Sequence, residues 1–299
     1  MRKRGNYKFL DKFSWYIPGV GGMFGLLAWL LVGALLGSVA LFILIAVLGK
    51  EAGSEYGNLI SYPLMFVPAM IYTAVKSSSL SMTESGVKLD SNNFAPLGSV
   101  LCILLAAVGT LAIGFWAEAI SSLLPDMPPA LEEALKSLTS GNVILNFICV
   151  SIFAPVCEEW LCRGMVLRGL LKRSRIKPVW AIVISAVFFA LIHLNPWQAI
   201  PAFLFGCLFG YVYYKTGSLK LTMLMHCVNN TFALICGHIS ALEDMNSWAD
   251  VIKAPLYYIL LAATVIITVL VVVAFRRIQL KAPTGNLDEV PSIFETNED

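Results

Sequence analysis

An all-α bundle of about eight membrane-crossing helices is the fold this sequence predicts, on three observations. Of its 299 residues, 58% are apolar and only 13% charged, a balance outside the range of soluble globular chains. Runs almost free of charge recur over 14–49, 56–75, 91–117, 137–157, 176–214, 221–242 and 254–275. Lysine and arginine gather in alternate gaps between these runs, as they do where cytoplasmic loops alternate with external ones.

A hydrocarbon core of roughly 30 Å needs about 20 apolar residues in a helix, so each run crosses once. The exception is 176–214, which is long enough for two helices and carries Asn195-Pro196 as a turn in its middle. The first run follows Met1-Arg2-Lys3-Arg4, which resembles the start of a secretory signal, but it is far longer than a signal's apolar core. The second contains Pro63 and Pro68, which predict kinks. The third ends beside Glu118, and a polar cytoplasmic loop over 76–90 precedes it. Residues 125–138, with Asp126, Glu132 and Glu133, read as a short amphipathic element on the outer face. The acidic tail 282–299 has no hydrophobic period and is expected to be disordered.

With the N-terminus inside, alternation through eight helices puts residues such as Lys76, Lys88, Arg168, Lys172 and Arg276 in the cytoplasm. Only Lys50, Lys136 and Lys253 then fall outside, and Arg163 lies within a helix. Both termini are thus expected in the cytoplasm, and the short loops and tail suggest a bacterial plasma membrane. The net charge of +2 carries no implication of nucleic acid, and the expected surrounding partner is the lipid bilayer. The seven cysteines are odd in number, lie in apolar runs and form no CxxC pair, so they read as small hydrophobes.

Four regions follow: three scaffold helices over 1–141, a four-helix segment over 142–240, the last helix over 241–281, and the tail 282–299. The second holds nearly every ionisable group at membrane depth, where each costs roughly 2.5–3.5 kcal/mol on insertion scales. It contains Glu158-Glu159 with Arg163, Phe189 with His193, and His226 with Asn230, the partners four residues apart in each case. That spacing stacks each pair on one helix face. The plain reading of Glu159 and Arg163 is a structural ion pair. Glu158 is turned about 100° from its neighbour and is left unpaired, the carboxylate available as a general base. A single membrane histidine is ordinarily a hydrogen-bonding residue between helices, and His238 reads so. His193 and His226 are the only other histidines and share one stretch with the glutamates.

Glu158-Glu159-x-x-x-Arg163, Phe189-x-x-x-His193 and His226-x-x-x-Asn230, in this order on successive apolar segments, resemble the signature of the CAAX prenyl endopeptidase type II family, also called CPBP or Abi. The approach Gly206, Gly210, Tyr213 and Thr216-Gly217-Ser218-Leu219 is similar as well. The resemblance covers about 142–240. It implies an intramembrane endopeptidase acting on a membrane-associated peptide or protein, of which a prenylated CaaX substrate is one candidate. It also implies that Glu158 and His193 hold and deprotonate water, that His226 and Asn230 stabilise the oxyanion, and that Glu159 and Arg163 support them.

Two alternatives stay open. Glu158, His193 and His226 also make a three-ligand zinc set with an open position; the absence of HExxH and the presence of Asn230 favour catalysis without a metal cofactor. A protein of another class is the second: an immunity or scaffold factor that has kept the fold, or a small proton-coupled transporter using Glu158 as a proton relay. Counting from the cytoplasmic ends sets Glu158 about 18 Å deep, His193 about 21 Å and His226 about 10 Å, at roughly 1.5 Å per residue. The mechanism requires these depths to converge.

Overall fold

The computed structural model describes residues 9–83, 86–139, 141–173, 176–239 and 247–280; among them the chain is helical and holds no strand. Its helices are α1 (Val20–Leu48), α2 (Lys50–Leu80), α3 (Ser99–Ser121), α4 (Pro129–Thr139), α5 (Val143–Lys172), α6 (Pro178–Leu191), α7 (Pro196–Thr216), α8 (Leu219–Cys236), α9 (Trp248–Val251) and α10 (Leu256–Arg276). The expected disordered tail 282–299 and the basic residues Arg2, Lys3, Arg4 and Lys8 lie outside the described residues.

Every apolar run forms one helix, and 176–214 forms two, divided where Asn195 caps α7 by accepting the Gln198 N–H at 2.9 Å ahead of Pro196. Six helices, α1, α2, α3, α5, α8 and α10, are long and apolar enough to cross a membrane. The outward faces fit that solvent: on α1, Leu31, Leu35 and Phe42 are 69%, 70% and 73% exposed, an apolar surface suited to lipid. α6 has only 14 residues, about 21 Å of helix. It packs against α7 as a hairpin, held close because a Cβ on Gly206 would lie 2.8 Å from the Ala186 Cβ.

α1 and α2 form the other tight hairpin. Gly49 turns the corner at φ 85°, a conformation that only glycine adopts without strain. Gly33 and Gly37, four residues apart on α1, face the backbone of α2. A Cβ on Gly33 would collide with the Met65 carbonyl, and one on Gly37 would sit 2.7 Å from the Ser61 carbonyl. This small-xxx-small contact lets two membrane helices approach closely.

Three expectations are corrected. The third helix begins at Ser99 rather than near residue 91, because residues 91–98 hold Pro96, and the residue before a proline is pushed out of helix. The chain ahead of it is not a free polar loop. Leu89 is fully buried, and the Ser91 and Asn93 N–H groups donate to the Gly217 and Thr216 carbonyls at 2.8 and 2.9 Å. Arg168 is likewise no loop charge. It lies in α5, fully buried, and its guanidinium donates to the carbonyls of Gly164, Phe13, Ser14, Tyr16 and Val87 over 2.6–3.3 Å. The cation is satisfied by backbone dipoles, and it ties the segment before α1 to the segment before α3.

Replacing Gly33 with Ala should lower the unfolding midpoint of the purified protein in detergent, by an overpacking cost of about 1–3 kcal/mol. Gly25→Ala on the same helix, where an added Cβ meets nothing within 4 Å, should leave the midpoint unchanged.

Candidate active site

α5 carries the acidic pair in a distorted stretch. Hydrogen bonding of the wider π type runs over Phe147–Phe153 and again over Trp160–Leu167, flanking the ordinary turn Ala154–Glu159. Such bulges accompany functional positions in helices. Glu158 is 8% exposed, His226 6%, and Glu159 and Arg163 are fully buried.

Arg163 answers the cost of burying Glu159. Its Nη1 donates to Glu159 Oε1 at 2.6 Å and its Nη2 to the Gly206 carbonyl at 3.3 Å. Its guanidinium lies 4.7 Å from the ring centre of Phe189 and 5.3 Å from that of Phe209, so aromatic faces on α6 and α7 complete its surroundings. The ion pair expected from the i, i+4 spacing is therefore formed, and it reaches further than a local pair. Glu159 Oε1 also accepts from His226 Nδ1 at 3.1 Å. Since a carboxylate only accepts, this bond fixes the proton on Nδ1 and turns Nε2 toward Glu158, whose Oε2 is 3.9 Å away.

Glu158 is not the unpaired residue expected. Its Oε1 accepts a hydrogen bond from the Tyr62 hydroxyl on α2, while Oε2 is buried with no hydrogen-bonding protein partner among the described residues. The two carboxylate oxygens thus differ: one is held, and the other faces His226.

The depth mismatch is resolved at the start of α8. Thr216, Ser218 and Leu219 are buried beneath the 87–93 segment, so α8 begins within the bundle. Asp90 fixes that start by accepting from the Lys220 N–H at 3.2 Å. α8 then runs antiparallel to α5: His226 meets Glu158 and Glu159, and one turn later Asn230 Nδ2 donates to the Val150 carbonyl at 2.8 Å. Among the described residues that bond leaves the second Asn230 N–H uncommitted, while Oδ1 accepts from Asn229 at 3.0 Å.

His193 stands apart from this group, just past the end of α6. No direct hydrogen bond joins it to Glu158, His226 or Asn230 among the described residues. Phe189 stands edge-on to both imidazoles, with centroids 5.0 Å from His193 and 5.6 Å from His226. His193 Nδ1 donates to the Phe189 carbonyl at 2.8 Å, which leaves Nε2 as the acceptor nitrogen. His238 donates to the Leu234 carbonyl at 2.8 Å. Among the described residues, no group of three or more His, Cys, Asp or Glu side chains is arranged to hold a metal ion, and all seven cysteines are free thiols.

Residues 140–232 match the family model described as type II CAAX prenyl endopeptidase Rce1-like. This segment is Rce1-like. The match takes in Glu158, Glu159, Arg163, His193, His226 and Asn230, in agreement with the resemblance read from the motifs, and it leaves α1, α2, α3 and α10 outside. No curated protein and no solved structure matches the chain.

The Rce1-like segment therefore draws on a residue beyond itself, Tyr62, which motif reasoning missed. The signal was a hydroxyl amid an apolar run, because a buried tyrosine ordinarily finds a partner for its O–H. Asn230→Ala should leave the Val150 carbonyl without its donor and cost about 1–3 kcal/mol of stability, read as a lower unfolding midpoint in detergent; an unchanged midpoint would contradict the bond.

Proposed function

We propose that the protein is an intramembrane endopeptidase that hydrolyses a peptide bond of a membrane-associated peptide or protein, of the prenylated CaaX type. The observation that carries this reading is the unpartnered Glu158 Oε2 facing His226 Nε2 at 3.9 Å in a buried site, within the Rce1-like segment. Proteolysis is what the matched family implies, and the residue roles below are those the motif resemblance implies, supported by the contacts of Glu158 and His226.

Glu158 Oε2 takes a proton from water, and His193 Nε2 accepts the other water hydrogen and holds the molecule in place. The hydroxide adds to the scissile carbonyl carbon. Negative charge then moves to the carbonyl oxygen, where the second Asn230 N–H and, in its doubly protonated form, His226 Nε2–H donate to it. Collapse of the tetrahedral species breaks the C–N bond, and the proton held by Glu158 passes to the departing amine. Glu159 and Arg163 keep the His226 ring oriented throughout. No step calls on a metal.

Access from the bilayer is supported by a surface groove of about 500 Å³ between α5 and α8, lined by Val143, Ile144, Phe147, Thr231, Leu234 and Ile235 among others. An apolar substrate segment would lie along this groove, past Thr231. The loop charge bias supports cytoplasmic termini.

The test is cleavage of a fluorogenic prenylated CaaX peptide by the purified protein in detergent or liposomes. Glu158→Gln should reduce turnover by about 10²–10⁴-fold, the range for loss of a general base. A strong chelator should leave the unsubstituted enzyme unaffected. Unchanged cleavage by Glu158→Gln would overturn the reading, and chelator inhibition reversed by zinc would replace its metal-free form with a zinc mechanism through Glu158, His193 and His226.

A further inference from the structure

The geometry points to Tyr62 as a positioning residue that orients the Glu158 carboxylate, supplied by a helix outside the Rce1-like segment; this rests on Glu158 being the base. α2 presents one polar face to α5. Glu55, Asn58 and Tyr62 lie three and four residues apart, the spacing of a single helix face. The side chains of Glu55 and Tyr62 bond to α5 or its cap, Glu55 Oε1 accepting from the Asn142 N–H at 2.5 Å and the Tyr62 hydroxyl donating to Glu158 Oε1, and between them the Asn58 backbone carbonyl accepts from the Cys149 thiol at 3.6 Å.

The position of Tyr62 along this seam is fixed from behind. The two α2 carbonyls that crowd the α1 glycines belong to Ser61 and Met65, which bracket Tyr62. Close backbone contact at Gly33 and Gly37 therefore sets both the rotation and the distance of α2 beneath Tyr62. Its ring also packs against Phe66, with centroids 5.8 Å apart.

The consequence is chemical. A carboxylate in a tight site can rotate and offer either oxygen. Donation from Tyr62 to Oε1 stops that rotation and leaves Oε2 turned to His226 Nε2. A packing role alone would be served by phenylalanine, whose ring fills the same space, so the hydroxyl separates the two possibilities.

The experiment compares Tyr62→Phe, Glu158→Gln and Tyr72→Phe in the full-length protein, with kcat, KM and the unfolding midpoint measured on the same prenylated peptide. Tyr72 lies on the same helix but stacks on Trp29 and meets Tyr16 edge-on, away from the site. Tyr62→Phe should lower kcat about 10- to 100-fold, the scale of one hydrogen bond to a charged group, while KM holds and the midpoint falls no further than in Asn230→Ala, which likewise leaves one buried acceptor without its donor; Tyr72→Phe should match the unsubstituted enzyme. Unchanged kcat in Tyr62→Phe beside an inactive Glu158→Gln would overturn the role of Tyr62 alone. A midpoint that falls well beyond that of Asn230→Ala would overturn positioning in favour of packing. Full activity in Glu158→Gln would instead bring down the proteolytic reading itself.

Discussion

Adjacent carboxylates inside a membrane bundle set the terms for everything packed around them. Glu159 is fully buried, and an unpaired charge at that depth would be expelled or protonated. Arg163 supplies the opposing charge one turn along, but a guanidinium carries more donors than one carboxylate can use. Its remaining surface is met by the Gly206 carbonyl and by the faces of Phe189 and Phe209. The need to satisfy one ion pair thus draws α6 and α7 onto α5. His226 on α8 then shares the same Glu159 oxygen. A pair first read as structural support becomes the element that orients the histidine facing Glu158.

The N-terminal half takes part in the same solution. Arg168 joins the segments before α1 and α3 through five carbonyls, which keeps the 87–93 segment over the start of α8. That cover lets α8 begin within the bundle and brings His226 to the depth of Glu158. From the other side, the glycine contacts of α1 press α2 toward α5 and deliver Tyr62 to the carboxylate. The Rce1-like segment holds all the motif residues, yet the Glu158 carboxylate is held by a helix beyond it.

Much of this was legible in the sequence, and the divide follows physical range. Long apolar runs have one stable answer in lipid, so helix positions could be read off, as could the Asn195-Pro196 break with its cap and first-turn proline. The Glu159 to Arg163 pair was legible because its partners are neighbours on one helix. Tyr62 and Glu158 are 96 residues apart, and nothing local to either reveals their pairing. Arg168 misled because a basic residue near a helix end looks like a topology signal; its burial depends on carbonyls from two distant segments.

The claim at the centre is that the Glu159 and Arg163 pair serves catalysis by orienting His226 and is not merely a device for folding. A buried ion pair replaced on both sides by apolar residues is often neutral for stability, so the two roles can be separated. The measurement is the unfolding midpoint and the prenylated-peptide cleavage rate of the double variant Glu159→Leu with Arg163→Met. The account predicts a midpoint near that of the unsubstituted protein together with a cleavage rate lower by at least about 10- to 100-fold, as when a histidine loses its orienting carboxylate. A stable double variant that cleaves at the full rate would contradict it.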